Sequence, residues 1–245
     1  MKYIGLIVLF LYTDISYADD AWDDVRFKGL PAGVTYQISS GTGFYVNRTD
    51  IVTNRHVLDQ CRNIAVRGAI APELAVIVMI DKNLDLALIR TASSPKRVPY
   101  LRTNYQQIST RDVLFTVGYP LERANTGQYI IKEAQVLEVN ERTDDTKFTN
   151  IEFTDTIDHG NSGGPLLDKN TNIVGEKKKK ITTYDADDPE KIDKTTGMAI
   201  GLDGLLDFLT RNNIPYAANS TYDIFTNYNL DDQVKHYVVN IHCVK

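Results

Sequence analysis

The sequence predicts an all-β protein that ends in a single helix and a tail. Three observations carry that prediction. Short apolar or alternating runs recur along all 245 residues, as half-buried strands require. Only one segment has a helical pattern. The length is enough to bury a substantial core in more than one compact unit. In chain order, the first group of strand-like runs is Val34 to Ile38, Phe44 to Val46, Ile51 to Thr53, Ile64 to Val66, Leu74 to Ile80 and Leu86 to Ile89. The second group is Val113 to Val117, Tyr129 to Val139, Phe148 to Phe153, Pro165 to Leu167, Ile173 to Val174 and Met198 to Ile200. Leu202, Leu205, Leu206, Phe208 and Leu209 then cluster on one side of a helix closed by Arg211-Asn212-Asn213. In the tail, Val234 to His242 alternates well enough for an additional strand.

The amino terminus reads differently. Met1-Lys2-Tyr3 precedes the apolar run Ile4 to Leu11, and Ser16-Tyr17-Ala18 places small residues where a signal peptidase needs them. Residues 1–18 are therefore expected to be a secretory signal peptide cleaved after Ala18. The run is well short of the ~20 residues needed to span a bilayer. The mature chain is expected to be secreted or periplasmic, without a stable membrane anchor. The net charge of −5 argues against nucleic acid as the main partner. No glycine-rich nucleotide loop or cysteine-rich pattern is present, so no cofactor and no metal are expected. His236 and His242 read as surface residues, since two histidines six apart do not define a zinc site.

The stretch that carries chemistry is Gly160-Asn161-Ser162-Gly163-Gly164-Pro165. Small residues on both sides of Ser162 let the backbone fold tightly around its hydroxyl, with N–H groups free to face a developing oxyanion. A serine nucleophile needs a base, usually a histidine oriented by a carboxylate. Of His56, His159, His236 and His242, only His56 follows a strand-like run, Thr49 to Asn54, at the start of a turn. The orienting acid is expected to be Asp85, where a polar loop gives way to the strand Leu86 to Ile89, with Asp81 as the fallback.

These segments, in the order histidine, aspartate, serine, resemble the chymotrypsin-type (trypsin-like) serine proteases, and their wording is closest to the bacterial HtrA (Deg) protease domain. Gly41-Thr42-Gly43-Phe44, Asp85-Leu86-Ala87 and Thr154 to Leu167 carry the likeness, supported by Val117-Gly118-Tyr119-Pro120 and Gly197-Met198-Ala199-Ile200. It covers roughly residues 30 to 210. The resemblance implies two six-stranded antiparallel β-barrels, residues 19–106 and 107–212, the second including the helix, with 213–245 as a C-terminal extension too short for a PDZ domain. It also implies a serine endopeptidase acting on protein or peptide substrates, with His56 and Asp85 from the first barrel, Ser162 from the second, and the N–H groups of Gly160 and Ser162 as the oxyanion hole. Such an enzyme should gain activity as pH rises through ~6.5, the usual histidine range. The alternative is a catalytically silent or gated domain that binds peptides in the same cleft. Asn161 stands where trypsin-like zymogens have an aspartate, which argues against activation by a newly cut amino terminus. The substrate pocket is expected to involve Thr156 and Ile157, which favour small or medium apolar side chains. Alternation in Val174 to Ile181 would turn some of its lysines toward the cleft, with Lys177 and Lys178 as the candidates, and invite acidic segments; the competing reading is a solvated edge strand blunted by lysine.

Cys61 and Cys243 are the only cysteines. In an exported chain they offer one intramolecular disulfide, and otherwise remain two free thiols.

Overall fold

The computed structural model describes residues 17–102, 108–123, 126–140, 148–155, 159–185, 188, 191–219 and 230–245. Strands dominate, in a seven-stranded antiparallel sheet and an eight-stranded sheet that is antiparallel except for two short strands added at one edge by parallel pairing. The first sheet is built from β1 (Ile38–Tyr45), β2 (Asp50–Asn54), β3 (Asn63–Gly68), β4 (Glu73–Leu74), β5 (Val76–Asp81) and β6 (Leu86–Arg90). After β7 (Tyr100–Arg102), the second is built from β8 (Val113–Gly118), β9 (Ile130–Asn140), β10 (Asn150–Phe153), β11 (Pro165–Leu167), β12 (Ile173–Tyr184) and β13 (Ile192–Gly201). Three helices, α1 (Tyr17–Arg26), α2 (Leu202–Arg211) and α3 (Leu230–Val234), and two further strands, β14 (Ala217–Asn219) and β15 (Val238–Val244), complete the described chain.

The second barrel closes by hydrogen bonds all round: the order is β11-β8-β9-β10-β13-β12, and β12 pairs back onto β11. Six strands make that ring, as expected. The first sheet runs β4-β3-β15-β1-β2-β6-β5. Its two edges, β4 and β5, are separated only by Ala75, whose N–H reaches Ile64 O at 2.8 Å, so one bent segment serves both ends of the sheet.

The identity of one barrel strand differs from expectation. Residues 34–37 form no strand and Val34 is exposed. The place between β1 and β3 is filled by β15 from the far end of the chain, paired from Ile38↔Val244 to Phe44↔Val238 on one side and from Asn63↔Val244 to Gly68↔Val239 on the other. Every residue of β15 is buried, so the strand contributes apolar side chains to the barrel interior and a full set of ladder bonds at once. The physical reason is completeness: a sheet edge left open there would expose unpaired N–H and C=O groups. The tail is thus a structural part of the first barrel. The expected disulfide is present, joining Cys61 to Cys243 with a Cα–Cα separation of 5.1 Å.

The helix α2 matches expectation, with Leu205, Phe208 and Leu209 buried against the core. The helix α1 has too short an apolar face to stand out in the sequence; Trp22 and Arg26, one turn apart, are buried. They cover His242, which is buried rather than on the surface. Arg26 lies 3.0 Å from His242 Nδ1 and the Trp22 ring sits 4.9 Å from the imidazole. Burial, with the charges of Arg26 and Arg67, lowers the His242 pKa to about 3. Residues 1–16 of the expected signal peptide lie outside the described residues. Among the described residues, no helix is long and apolar enough to cross a membrane.

Candidate active site

Both barrels contribute to one open cleft of about 610 Å³, with His56 on one side and Ser162 on the other. His56 lies in a short 3-10 turn, Arg55–Leu58, that follows β2 directly. Buried Val57 and Leu58 anchor the turn and leave the imidazole exposed. Asp85 reaches it from the loop before β6: His56 Nδ1 is 2.7 Å from Asp85 Oδ2, and the His56 backbone N–H donates to Oδ1 at 3.1 Å. Two contacts of this kind fix both the position of the ring and its tautomer, with Nδ1 bearing hydrogen. Burial pushes the Asp85 pKa up, but the His56 hydrogen bonds and charge, helped by Lys178, outweigh it and leave the carboxyl below its ordinary value. Asp81, the fallback acid, does other work: Oδ1 accepts the N–H groups of Asn83 and Leu84, and Oδ2 pairs with Arg211.

Asp85 adopts φ +60°, a left-handed conformation that costs a non-glycine residue roughly 1–2 kcal/mol. Its carbonyl accepts the Arg55 N–H at 2.8 Å and Asn54 Nδ2 at 3.3 Å. These bonds hold the strained residue in register with the histidine turn.

The serine loop is fastened to the first barrel by Thr42 of β1. Its N–H donates to Ser162 O at 2.9 Å, its hydroxyl donates to Gly160 O at 2.7 Å, and the Tyr119 N–H donates to that hydroxyl at 2.9 Å. Two glycines are obligatory here. At Gly160 φ is +95° and a Cβ would fall 2.3 Å from Tyr119 O; at Gly163 φ is +86° and a Cβ would fall 2.2 Å from Thr42 O. The N–H groups of Gly160 and Ser162 take no hydrogen-bond partner among the described residues, which leaves both available to an oxyanion. Asn161 is buried against Gly118.

The wall of the cleft is β12. Lys178 lines it together with Lys179 and Lys180, while His159, Leu121 and Glu122 lie on the serine-loop side. Lys177 departs from expectation: it is buried and its backbone instead ties β12 to the serine loop, with Gly163 N–H donating to Lys177 O and Lys177 N–H to Gly164 O, both at 2.9 Å. The strand is covered on both faces as far as Lys177, and a β-bulge between Lys177 and Lys179 makes Lys178 the extra residue where exposure begins. Thr156 and Ile157 lie outside the described residues. Among the described residues no cluster of His, Cys, Asp or Glu could hold a metal.

One group had no signal in the sequence. Glu176 of β12 is fully buried beside this site, its Oε2 accepting Asn54 Nδ2 at 2.9 Å. Burial, with the Asp85 charge adding to it, raises its pKa well above the ordinary carboxyl value against the opposing effects of Asn54, Lys178 and Lys177.

Residues 41–175 match the family model described as a trypsin-like peptidase domain. The uncharacterized protein y4bJ of Sinorhizobium fredii is 34% identical over 149 residues, 58% of this chain and 22% of that protein. The human serine protease HTRA4 is 28% identical over 151 residues, 59% of this chain and 31% of that protein. The match thus spans less than a third of the length of either relative. Among solved structures, the active form of the Rv3671c protease from M. tuberculosis aligns with a TM-score of 0.55 at 20% identity, covering 75% of this chain and 82% of that one. The HtrA-type protease AlgW with a decapeptide aligns with a TM-score of 0.56 at 20% identity, covering 69% of this chain and 50% of that one. Likeness at that identity is a likeness of fold.

Proposed function

The chain belongs to the trypsin-like peptidase domain family, and from that premise we propose that it is a serine endopeptidase of HtrA type in which His56, Asp85 and Ser162 are the catalytic residues. The observation that carries the reading is the 2.7 Å contact of His56 Nδ1 with Asp85, on the same cleft as Ser162. Neutral His56 takes the Ser162 hydroxyl proton on Nε2 as the oxygen attacks the scissile carbonyl. Asp85 keeps the proton on Nδ1 and stabilises the imidazolium that forms. The N–H groups of Gly160 and Ser162 hold the oxyanion, His56 returns its proton to the leaving amine, and a water activated by the same ring hydrolyses the acyl-enzyme.

Substrates are unfolded or partner proteins, and Lys178, Lys179 and Lys180, against Glu122 alone among the described lining residues, favour acidic side chains near the cut. Export to the periplasm or the cell exterior follows from the amino-terminal run ending at Ala18 and is supported by the Cys61–Cys243 bridge, which persists in oxidising compartments. The test is casein cleavage by the chain from Asp19 onward, with fluorophosphonate labelling alongside. Ser162→Ala should abolish labelling and lower turnover by at least about 10³-fold. A folded wild type that neither cleaves nor labels would mean a silent or gated peptide-binding domain instead.

A further inference from the structure

Glu176 and Asn54 are both fully buried, one from each barrel, and they meet beside Asp85. Asn54 ends β2, two residues before His56. Its Nδ2 has two hydrogens and two acceptors: Glu176 Oε2 at 2.9 Å and Asp85 O at 3.3 Å. The remaining oxygens of the same two groups, Asn54 Oδ1 and Glu176 Oε1, are buried with no partner. Two orphaned acceptors in one contact are costly, since each forfeits its bond to water without replacement. A proton on Glu176 Oε1 turns that acceptor into a donor, and Asn54 Oδ1 is the buried acceptor on the same pair of side chains that lacks a partner.

We propose that Glu176 carries a proton and forms a neutral acid–amide pair with Asn54, and that this pair is a positioning device for Asp85. The inference rests on the assignment of Asp85 as the catalytic acid. The pair clamps Asn54 in one orientation, so that its second N–H holds the carbonyl of the left-handed Asp85. The charged groups that act on Glu176 are Asp85 from the loop before β6 and Lys177 and Lys178 from β12 itself. A carboxylate at this place would sit desolvated beside the Asp85 charge; burial and that charge both favour the neutral acid. Glu176 touches no reacting atom in this scheme and acts only through Asn54 and Asp85.

The discriminating variant is Glu176→Gln, whose amide offers Asn54 the same carbonyl acceptor and a donor in place of the acid hydroxyl. The wild type, Glu176→Gln and Glu176→Leu are compared in kcat, KM and pH profile on casein-derived peptides. Gln should keep kcat within about threefold and leave the midpoint of the pH profile in place. Leu should lower kcat by about tenfold or more with KM little changed, as expected when a catalytic group is misplaced and binding is not. A shift of the midpoint in Gln would show that a negative charge had been removed, and would overturn the neutral pair. An unchanged kcat in Leu would overturn the positioning role; should Leu not fold, Asn54→Ala removes the clamp and takes its place. An infrared difference spectrum of wild type minus Glu176→Gln at pH 7 supplies a readout independent of turnover. A protonated-carboxyl band supports the pair and its absence refutes it. Should the wild type prove inactive, the endopeptidase reading fails and the infrared result still decides the state of Glu176.

Discussion

Breaking the Cys61–Cys243 bridge should weaken the fold far more than the loss of one sulfur–sulfur contact suggests. The bridge joins residues 182 apart in sequence. On the chain-entropy account a loop of that length restricts the unfolded ensemble by about 5 kcal/mol. For a chain of this size each kcal/mol moves Tm by about 2–4 °C, so the full effect is on the order of 10–20 °C. Native strain and residual structure in the unfolded chain reduce such figures, which makes 10 °C the working expectation. The reduced protein should still fold, because β15 remains sandwiched between β1 and β3 with every side chain buried. The assay is calorimetric or circular-dichroism melting of the oxidised protein, the reduced protein and Cys61→Ser/Cys243→Ser, with the bridge verified by mass spectrometry. The reduced protein and the double variant should melt together, well below the oxidised form. A shift of about 2 °C or less, with the bridge confirmed in the oxidised sample, would refute the long-range loop-closure account of the bridge.

Two further outcomes follow from charge. Lys179 and Lys180 are exposed on the cleft wall, and exposed pairs contribute about 0.2–1 kcal/mol each; Lys179→Ala/Lys180→Ala should therefore lower kcat/KM for an acidic peptide by roughly two- to thirtyfold and spare a neutral one. Equal kcat/KM of the wild type for the two peptides would sink the acidic preference. Stability against pH should separate the wild type from Glu176→Gln, because the Glu176 pKa is raised in the fold. The unfolded carboxyl ionises above ~4.3 while the folded one keeps its proton, so the wild type should lose about 1.4 kcal/mol per pH unit relative to Gln until pH reaches the folded pKa. Asp85 has the opposite sign: its lowered pKa contributes stability above ~3.9 that is lost as pH falls through the folded value. Parallel urea-unfolding stabilities of wild type and Glu176→Gln from pH 4 to 8 would contradict the Glu176 linkage.

The parts of the site that were legible in the sequence are those whose chemistry demands particular residues at a particular place. Gly160 and Gly163 had to be glycine, since their positive φ and close approach to Tyr119 O and Thr42 O admit nothing larger. His56 at a strand end and Asp85 ahead of β6 could be read for the same reason, because each needs a polar turn beside an apolar anchor. The placement of β15 could not. Residues 238–244 announce a strand, but which edge a strand joins depends on what the rest of the chain leaves open. Val34 to Ile38 has the same local pattern and lies nearer in sequence, so it took the position on paper that β15 takes in the barrel.

The lysine run failed as a guide for a different reason. Period-two reasoning assumes one wet face and one dry face along the whole strand. In β12 both faces are covered from Ile173 to Lys177, and exposure begins only at Lys178. A charged side chain in the covered part must therefore find a buried partner or give up its charge, whatever its neighbours do farther along the strand. Glu176 lies on that side of the boundary, between the serine loop tied to Lys177 and the Asn54 that precedes the histidine turn. Its neutral form follows from where the strand passes between the barrels, which the surrounding sequence of lysines conceals by suggesting a solvated surface.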